Sequence, residues 1–158
     1  MPKLEQMAKH YRFNEKLLEI VSKDFSEEDW KVRAGDSNPA IWILFHIAST
    51  RRHLLRMIGV EAKELEWEKI VSMGSKENDG SGLPSPEVAF KEFAESGERI
   101  ERCLSTLPNE EADAERDFSF PDGSKTLTSA AGFLFMHEAY HLGQLGLLRR
   151  MCGKAGFA

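Results

Sequence analysis

Residues 133–151 read FLFMHEAYHLGQLGLLRRM, and the pair His137 and His141 inside that stretch decides how the chain is built. Histidines four residues apart share one face of a helix and can hold one divalent metal ion. Taken literally, His137-Glu138-Ala139-Tyr140-His141 is the HExxH of zinc peptidases. Such an enzyme takes a third ligand from downstream, yet the seventeen residues after His141 contain no Asp, Glu or His. The longer HExxHxxGxxH form fails too, with Gln144 where its glycine belongs and Leu147 where its last histidine belongs. The Cys152 thiol would lie about 16 Å further along the helix. Any remaining ligand must come from upstream.

At 100° per residue, Ala130, Phe133, Leu134, His141, Gln144 and Leu148 fall within roughly 60° of His137, which puts both histidines in the middle of an apolar stripe. An imidazole buried without a partner costs about 1–3 kcal/mol. A shared ion would satisfy both rings; two core histidines, each bonded to a carbonyl or a water, is the other reading.

A second helix supplies the upstream candidate. Ser37-Asn38-Pro39 places a polar residue before a proline at the first helical position, and Gly59 marks the stop, so the helix is expected over 39–58. Its inward face collects Trp42, Ile43, His46, Thr50, His53, Leu54 and Met57. Should the two helices be neighbours, His46, His137 and His141 meet. Three neutral imidazoles around Zn²⁺ or Ni²⁺ leave one position open, as in a catalytic rather than a structural site. His53 lies two turns from His46, about 10.5 Å, too far to share the ion, and is expected to line a pocket or the core. His10 sits at the edge of the Met7, Tyr11, Leu18, Val21 stripe, a surface or supporting position. Glu138 lies about 100° around the helix from His137, at the polar boundary, where a solvated glutamate is expected.

These residues resemble the DinB-like (YfiT-like) family of metal-binding four-helix proteins, which carry one histidine on the second helix and H-x3-H on the last. The matching text is NPAIWILFHIA around His46, HEAYHLGQ around His137 and His141, the closing GKAG, and an opening helix YRFNEKLLEIV at 11–21. The resemblance spans about residues 4–153. It implies an all-α four-helix bundle and a divalent metal, Zn or Ni, held by His46, His137 and His141. Among its members are S-transferases and isomerases that use low-molecular-weight thiols, and it also carries the label of metal-dependent hydrolase. The expected function is therefore a thiol-dependent S-transferase, with Gln144 as a supporting or substrate contact one turn past His141. A metal-dependent hydrolase turning on Glu138, or a non-catalytic metal or small-ligand binding protein, is the alternative.

Composition agrees. The 158 residues are 41% hydrophobic and 30% charged, with a net charge of −5, which fits one globular domain over 1–158. No basic run exceeds a pair such as Arg51-Arg52, so nucleic acid and anionic membrane are poor partners and a small molecule is the expected one. The opening MPKLEQMAKHYRF has no apolar signal core, and no stretch of about 18 apolar residues occurs, so the protein is expected in the cytoplasm. Cys103 and Cys152 are expected as reduced thiols.

The pattern gives four long helices with one long crossover connection. The first is expected over 3–24, the second over 39–58 with a short helical piece over 61–72, and a loop over 73–86 rich in Gly, Ser, Asn, Asp and Pro. Ser85-Pro86-Glu87 opens the third, whose Phe90, Phe93, Ile100, Leu104 and Leu107 oppose a charged face. Residues 118–124 suggest a hairpin or an extended loop. The last helix should start near Thr126 or Thr128 and end before Gly153. Gly132, Gly143 and Gly146 lie with Ala139 opposite the histidines. Each costs about 0.8–1 kcal/mol relative to alanine, so a close approach is expected there, to a neighbouring helix or to a second copy in a homodimer.

Overall fold

The computed structural model describes residues 1–72, 74–75 and 79–156; part of the expected 73–86 loop lies outside them. Among the described residues there are five α-helices and no strand: α1 (Glu5–Ser22), α2 (Ala40–Met57), α3 (Pro86–Thr106), α4 (Asn109–Asp113) and α5 (Leu127–Met151). The four long helices form a bundle in which α3 and α5 each pack against both α1 and α2. Consecutive α1 and α2 therefore sit on a diagonal, and so do α3 and α5, so both joining segments cross an end of the bundle. Among the described residues, no helix is long and apolar enough to span a membrane.

Helix ends follow local chemistry. Ser85 is extended ahead of Pro86, whose missing N–H is no loss in the first turn. The Thr126 hydroxyl accepts the Ser129 amide at 3.1 Å, which caps α5. Gly153, at φ 74°, ends it in the left-handed conformation that glycine adopts freely. Two expectations are corrected. The helical piece over 61–72 shrinks to one 3-10 turn, Glu66–Lys69, and the short α4 was not anticipated. Residues 118–124 form a turn in which Gly123 donates to the Phe120 carbonyl, closed by a single antiparallel bridge between Glu115 and Thr126.

The core is divided by a polar layer. One apolar half contains Leu18, Phe45, Ala48, Phe93 and Leu142, the other Tyr11, Leu54, Ile100 and Leu134. Between the halves every long helix contributes something other than a hydrocarbon: Asn14 and Glu15 from α1, Arg51 from α2, Ser96 and Gly97 from α3, and Glu138 from α5. Arg51 is 1% exposed. Its Nε donates to Glu138 Oε2 at 2.7 Å, Nη1 to Glu15 Oε1 and the Phe93 carbonyl, both at 2.9 Å, and Nη2 to the Tyr11 carbonyl at 2.6 Å and Glu138 Oε1 at 2.8 Å. A guanidinium has five N–H groups, and all five are used. The Asn14 amide adds a bond to Glu138 Oε1 at 2.9 Å.

Gly97 makes the layer possible. A Cβ there would overlap Glu15 Oε1 and Arg51 Nη1, so only glycine lets α3 close over the ion pair. The close approach expected at Gly132 and Gly143 is, by contrast, not made among the described residues, where a Cβ at either meets nothing within 4 Å. Met136, Tyr140, Leu147 and Met151 stand exposed on the same side of α5.

Candidate metal centre

His46 on α2 and His137 and His141 on α5 offer ligand atoms that all lie within 4.8 Å of one another. The Nε2 atom of His137 is 3.2 Å from that of His46 and 3.1 Å from that of His141. Nitrogens bound at about 2.0–2.1 Å to one tetrahedral ion stand about 3.3–3.4 Å apart, so the two edges at His137 suit a shared divalent ion, and the third atom lies within 4.8 Å.

The tautomers suit it too. His46 donates from Nδ1 to the Val71 carbonyl at 2.7 Å, and His141 donates from Nδ1 to Gln144 Oε1 at 2.7 Å. Each bond fixes the proton on Nδ1 and leaves the Nε2 lone pair turned into the cluster. His137 Nδ1 is buried without a hydrogen-bond partner among the described residues. Trp42 stacks on His46 with centroids 4.6 Å apart and planes at 17°, which holds the ring flat against α2. Burial pushes His46 down to about 4, with the Val71 carbonyl partly opposing and His137 adding to the fall. It pushes His141 down to about 3, reinforced by His46 and His137 against the pull of Gln144. Burial lowers His137 as well. All three rings are thus neutral at pH 7, the state in which imidazole binds metal.

The segment carrying Val71 is clamped. Glu68, 3% exposed, accepts from Arg52 Nε at 2.8 Å, Arg56 Nη2 at 2.7 Å and its own chain at Leu65 N at 3.0 Å. Burial would raise its carboxyl, but the bonds from Arg56, Arg52 and Leu65 override that and hold it below the usual range. Trp42 Nε1 donates to the Ile70 carbonyl at 3.3 Å. The acceptor that orients His46 therefore rests on side chains of α2 itself.

Two expectations about α5 need correction, and they have one cause. Its buried residues include Ala131, Leu134, Glu138, Leu142 and Leu145, an arc centred roughly 80° from His137 at 100° per residue. His137 flanks the stripe and His141, itself buried, lies just inside its edge, instead of both running down its middle. Glu138, expected in solvent, is 1% exposed at the centre of the arc. A polarity pattern puts a carboxylate outside the stripe; only Arg51 on another helix explains how Glu138 sits there. Because His137 is on the flank it is half-buried, and open space reaches the cluster.

That space comprises two cavities. One, of about 350 Å³, is lined by His46, Thr50, His53, Val71, Phe133 and His137 among others. A second, of about 450 Å³, is lined by Ser37, Asn38, Trp42, Tyr140, His141 and Gln144 among others. His53 thus lines a cavity, as expected, at a distance from the cluster. His10 is exposed, packed on Phe135 with centroids 5.5 Å apart. Cys103 and Cys152 are free thiols, each partly buried. Burial and the neighbouring Asp29 push the Cys152 thiol up, so it is no ready nucleophile.

The sequence reading missed three functional supports: Arg51, Glu68 and Gly97. An arginine in a helical apolar pattern, at Arg51, was the available signal for the first.

No curated protein sequence matches the chain. A family model does, that of the DinB superfamily, over residues 10–145. With a match across most of its length and three histidines gathered between α2 and α5, the chain belongs to the DinB superfamily.

Proposed function

We propose that this protein is a metal-dependent S-transferase acting on a low-molecular-weight thiol, with His46, His137 and His141 as ligands of one divalent ion, Zn²⁺ or Ni²⁺. The donor set fits such an ion: three neutral imidazoles, with the His46 and His141 Nε2 atoms 3.2 and 3.1 Å from that of His137 and two of the rings oriented by acceptors on Nδ1. When bound, an ion with only neutral ligands keeps its full charge and favours the anionic form of whatever takes its open position.

The observation that carries the choice of thiol over water is the fate of Glu138. Hydrolysis by an HExxH site needs that glutamate beside the attacking water as a base. Here both its oxygens are taken by Arg51, and one also by Asn14. A thiol, with an ordinary pKa of about 8.5, needs far less help to ionise than water does. In the reaction proposed, the S–H proton leaves to solvent, a sulfur electron pair forms the new C–S bond, and the leaving group departs with the electrons of the bond it loses. His46 and His141 stay neutral throughout, oriented by Val71 and Gln144. The test is conjugation of several thiols to a chromogenic alkyl or aryl halide by metal-loaded protein, with His46→Ala as control.

We also propose that a second copy of the chain covers the outer face of α5. Between residues 126 and 148 Glu138 is the only Asp, Glu, Lys or Arg, and it points inward. A helix that is apolar on all sides is normally buried, and the open glycines at 132 and 143 would let a two-fold related α5 come close.

A further inference from the structure

The cavity linings run in opposite order on the two helices. On α2 the histidine of the cluster is preceded by Trp42 and Ile43, which line the larger cavity, and followed by Ser49, Thr50, His53 and Arg56, which line the smaller. On α5 Tyr140 and Gln144 line the larger cavity, and Phe133 and Leu134 the smaller. The helices are antiparallel, with the three imidazoles partway along the groove between them. His46 and His137 wall one space, His141 the other.

The two spaces differ in chemistry. In the smaller, Val71, Phe133 and Leu134 are hydrocarbon, and several polar groups are already engaged: Arg56 with Glu68, Ser49 with Glu68, and the Thr50 hydroxyl with the Ile47 carbonyl. What they leave for a ligand is mainly apolar surface. The larger has Trp42 and Ile43 as a floor, but Asp36, Ser37, Asn38, Ser75, Tyr140 and Gln144 supply the rest of its wall. The Ser75 hydroxyl is buried there with no partner among the described residues. Each volume is of the order that holds a small ligand, about 300–1,000 Å³.

We infer that the groove between α2 and α5 is a two-chamber site with the histidine cluster as its partition: the Ser37/Gln144 chamber takes a hydrophilic thiol, and the Thr50/Phe133 chamber takes an electrophile with an apolar body. This rests on the S-transferase reading. Group transfer requires two reactants to reach one point together, and two chambers that both open on the cluster let the sulfur and the electrophilic carbon approach its one open position without competing for one space. Hydrolysis has no use for a second chamber, since water is its other reactant.

The experiment uses the cobalt-loaded protein with two probes. L-cysteine is followed by its sulfur-to-cobalt absorption, and 4-fluorotoluene, which cannot react, by ¹⁹F line broadening. Both should bind at once, saturating cysteine leaving the affinity for 4-fluorotoluene within about threefold. Thr50→Phe, or Ser72→Phe in the same lining should the first fail to fold, should weaken 4-fluorotoluene by about tenfold or more and leave the cysteine signal intact; Ser37→Phe or Ser75→Phe should do the reverse. Mutual exclusion of the probes, or variants on either side that weaken both equally, overturns the two-chamber division. Loss of any cysteine signal in wild type while 4-fluorotoluene still binds overturns the S-transferase reading instead.

Discussion

Arg51 Nε lies 2.7 Å from Glu138 Oε2, and through that contact the residue between the two α5 histidines is tied to the helix that carries His46. Arg51 is five residues beyond His46, so the pairing fixes the rotation of α5 about its axis against α2. The two helices cannot turn relative to each other without breaking a bond to a buried charge.

Glu138→Ala is therefore expected to cost about 3–5 kcal/mol, because it leaves the buried Arg51 with one carboxylate, Glu15, where it had two. Glu138→Gln, which keeps the shape, should cost about 1–3 kcal/mol. Urea unfolding measures both. In the folded fraction Glu138→Gln should weaken metal retention while leaving the S-transfer rate per bound metal largely intact; a rate that collapses with metal still bound would show that Glu138 acts on substrate.

Gly97→Ala reverses the usual sign. In an ordinary helix interior that change stabilises by about 1 kcal/mol, but here the methyl would displace Glu15 and Arg51. A loss of about 1–3 kcal/mol is expected from overpacking. Stabilisation on the same urea curve would contradict the account of the polar layer.

Acid should unfold the metal-free protein through the histidines. Their folded values lie below the ordinary 6.5, at about 4 for His46 and about 3 for His141. Above about pH 6.5 both states are neutral and these groups contribute no slope. As pH falls from there to about 4 the unfolded chain takes up protons that the folded one refuses, so stability drops by a few kcal/mol, then levels off below the folded values. The drop between pH 6.5 and 4 should be smaller in His46→Ala; equal slopes would contradict the burial of that ring as a neutral base.

Much of this was legible in the sequence. Helix periodicity and the proline and glycine signals at Pro86 and Gly153 give the long helices to within a few residues, and the spacing of His137 and His141 puts two rings on one face. The rest depends on partners far apart in the chain. Glu138 reads as a surface residue until Arg51, 87 positions away, is set beside it. Gly97 reads as a weak point of α3 until the ion pair beneath it is seen. The 61–72 segment has helical composition, but Glu68 is held in a short 3-10 turn by bonds to Arg52 and Arg56 that no local pattern reports.

The outer face of α5 gives a further expectation. Sedimentation should find the protein at twice its monomer mass, and Leu147→Glu, which sets a charge among Met136, Tyr140 and Gly143, should shift it to the monomer without loss of helix content. A wild-type monomer at high concentration would remove the second copy from the account.

The proposed chemistry requires three imidazoles from two helices to share one ion. Elemental analysis of protein purified without a metal-affinity column tests it most directly. One equivalent of a divalent transition metal per chain is expected in wild type, and its loss in each of folded His46→Ala, His137→Ala and His141→Ala. Wild type that retains no ion, even after incubation with Zn²⁺, Ni²⁺ or Co²⁺ at neutral pH, or a His46→Ala variant that retains as much as wild type, would contradict it.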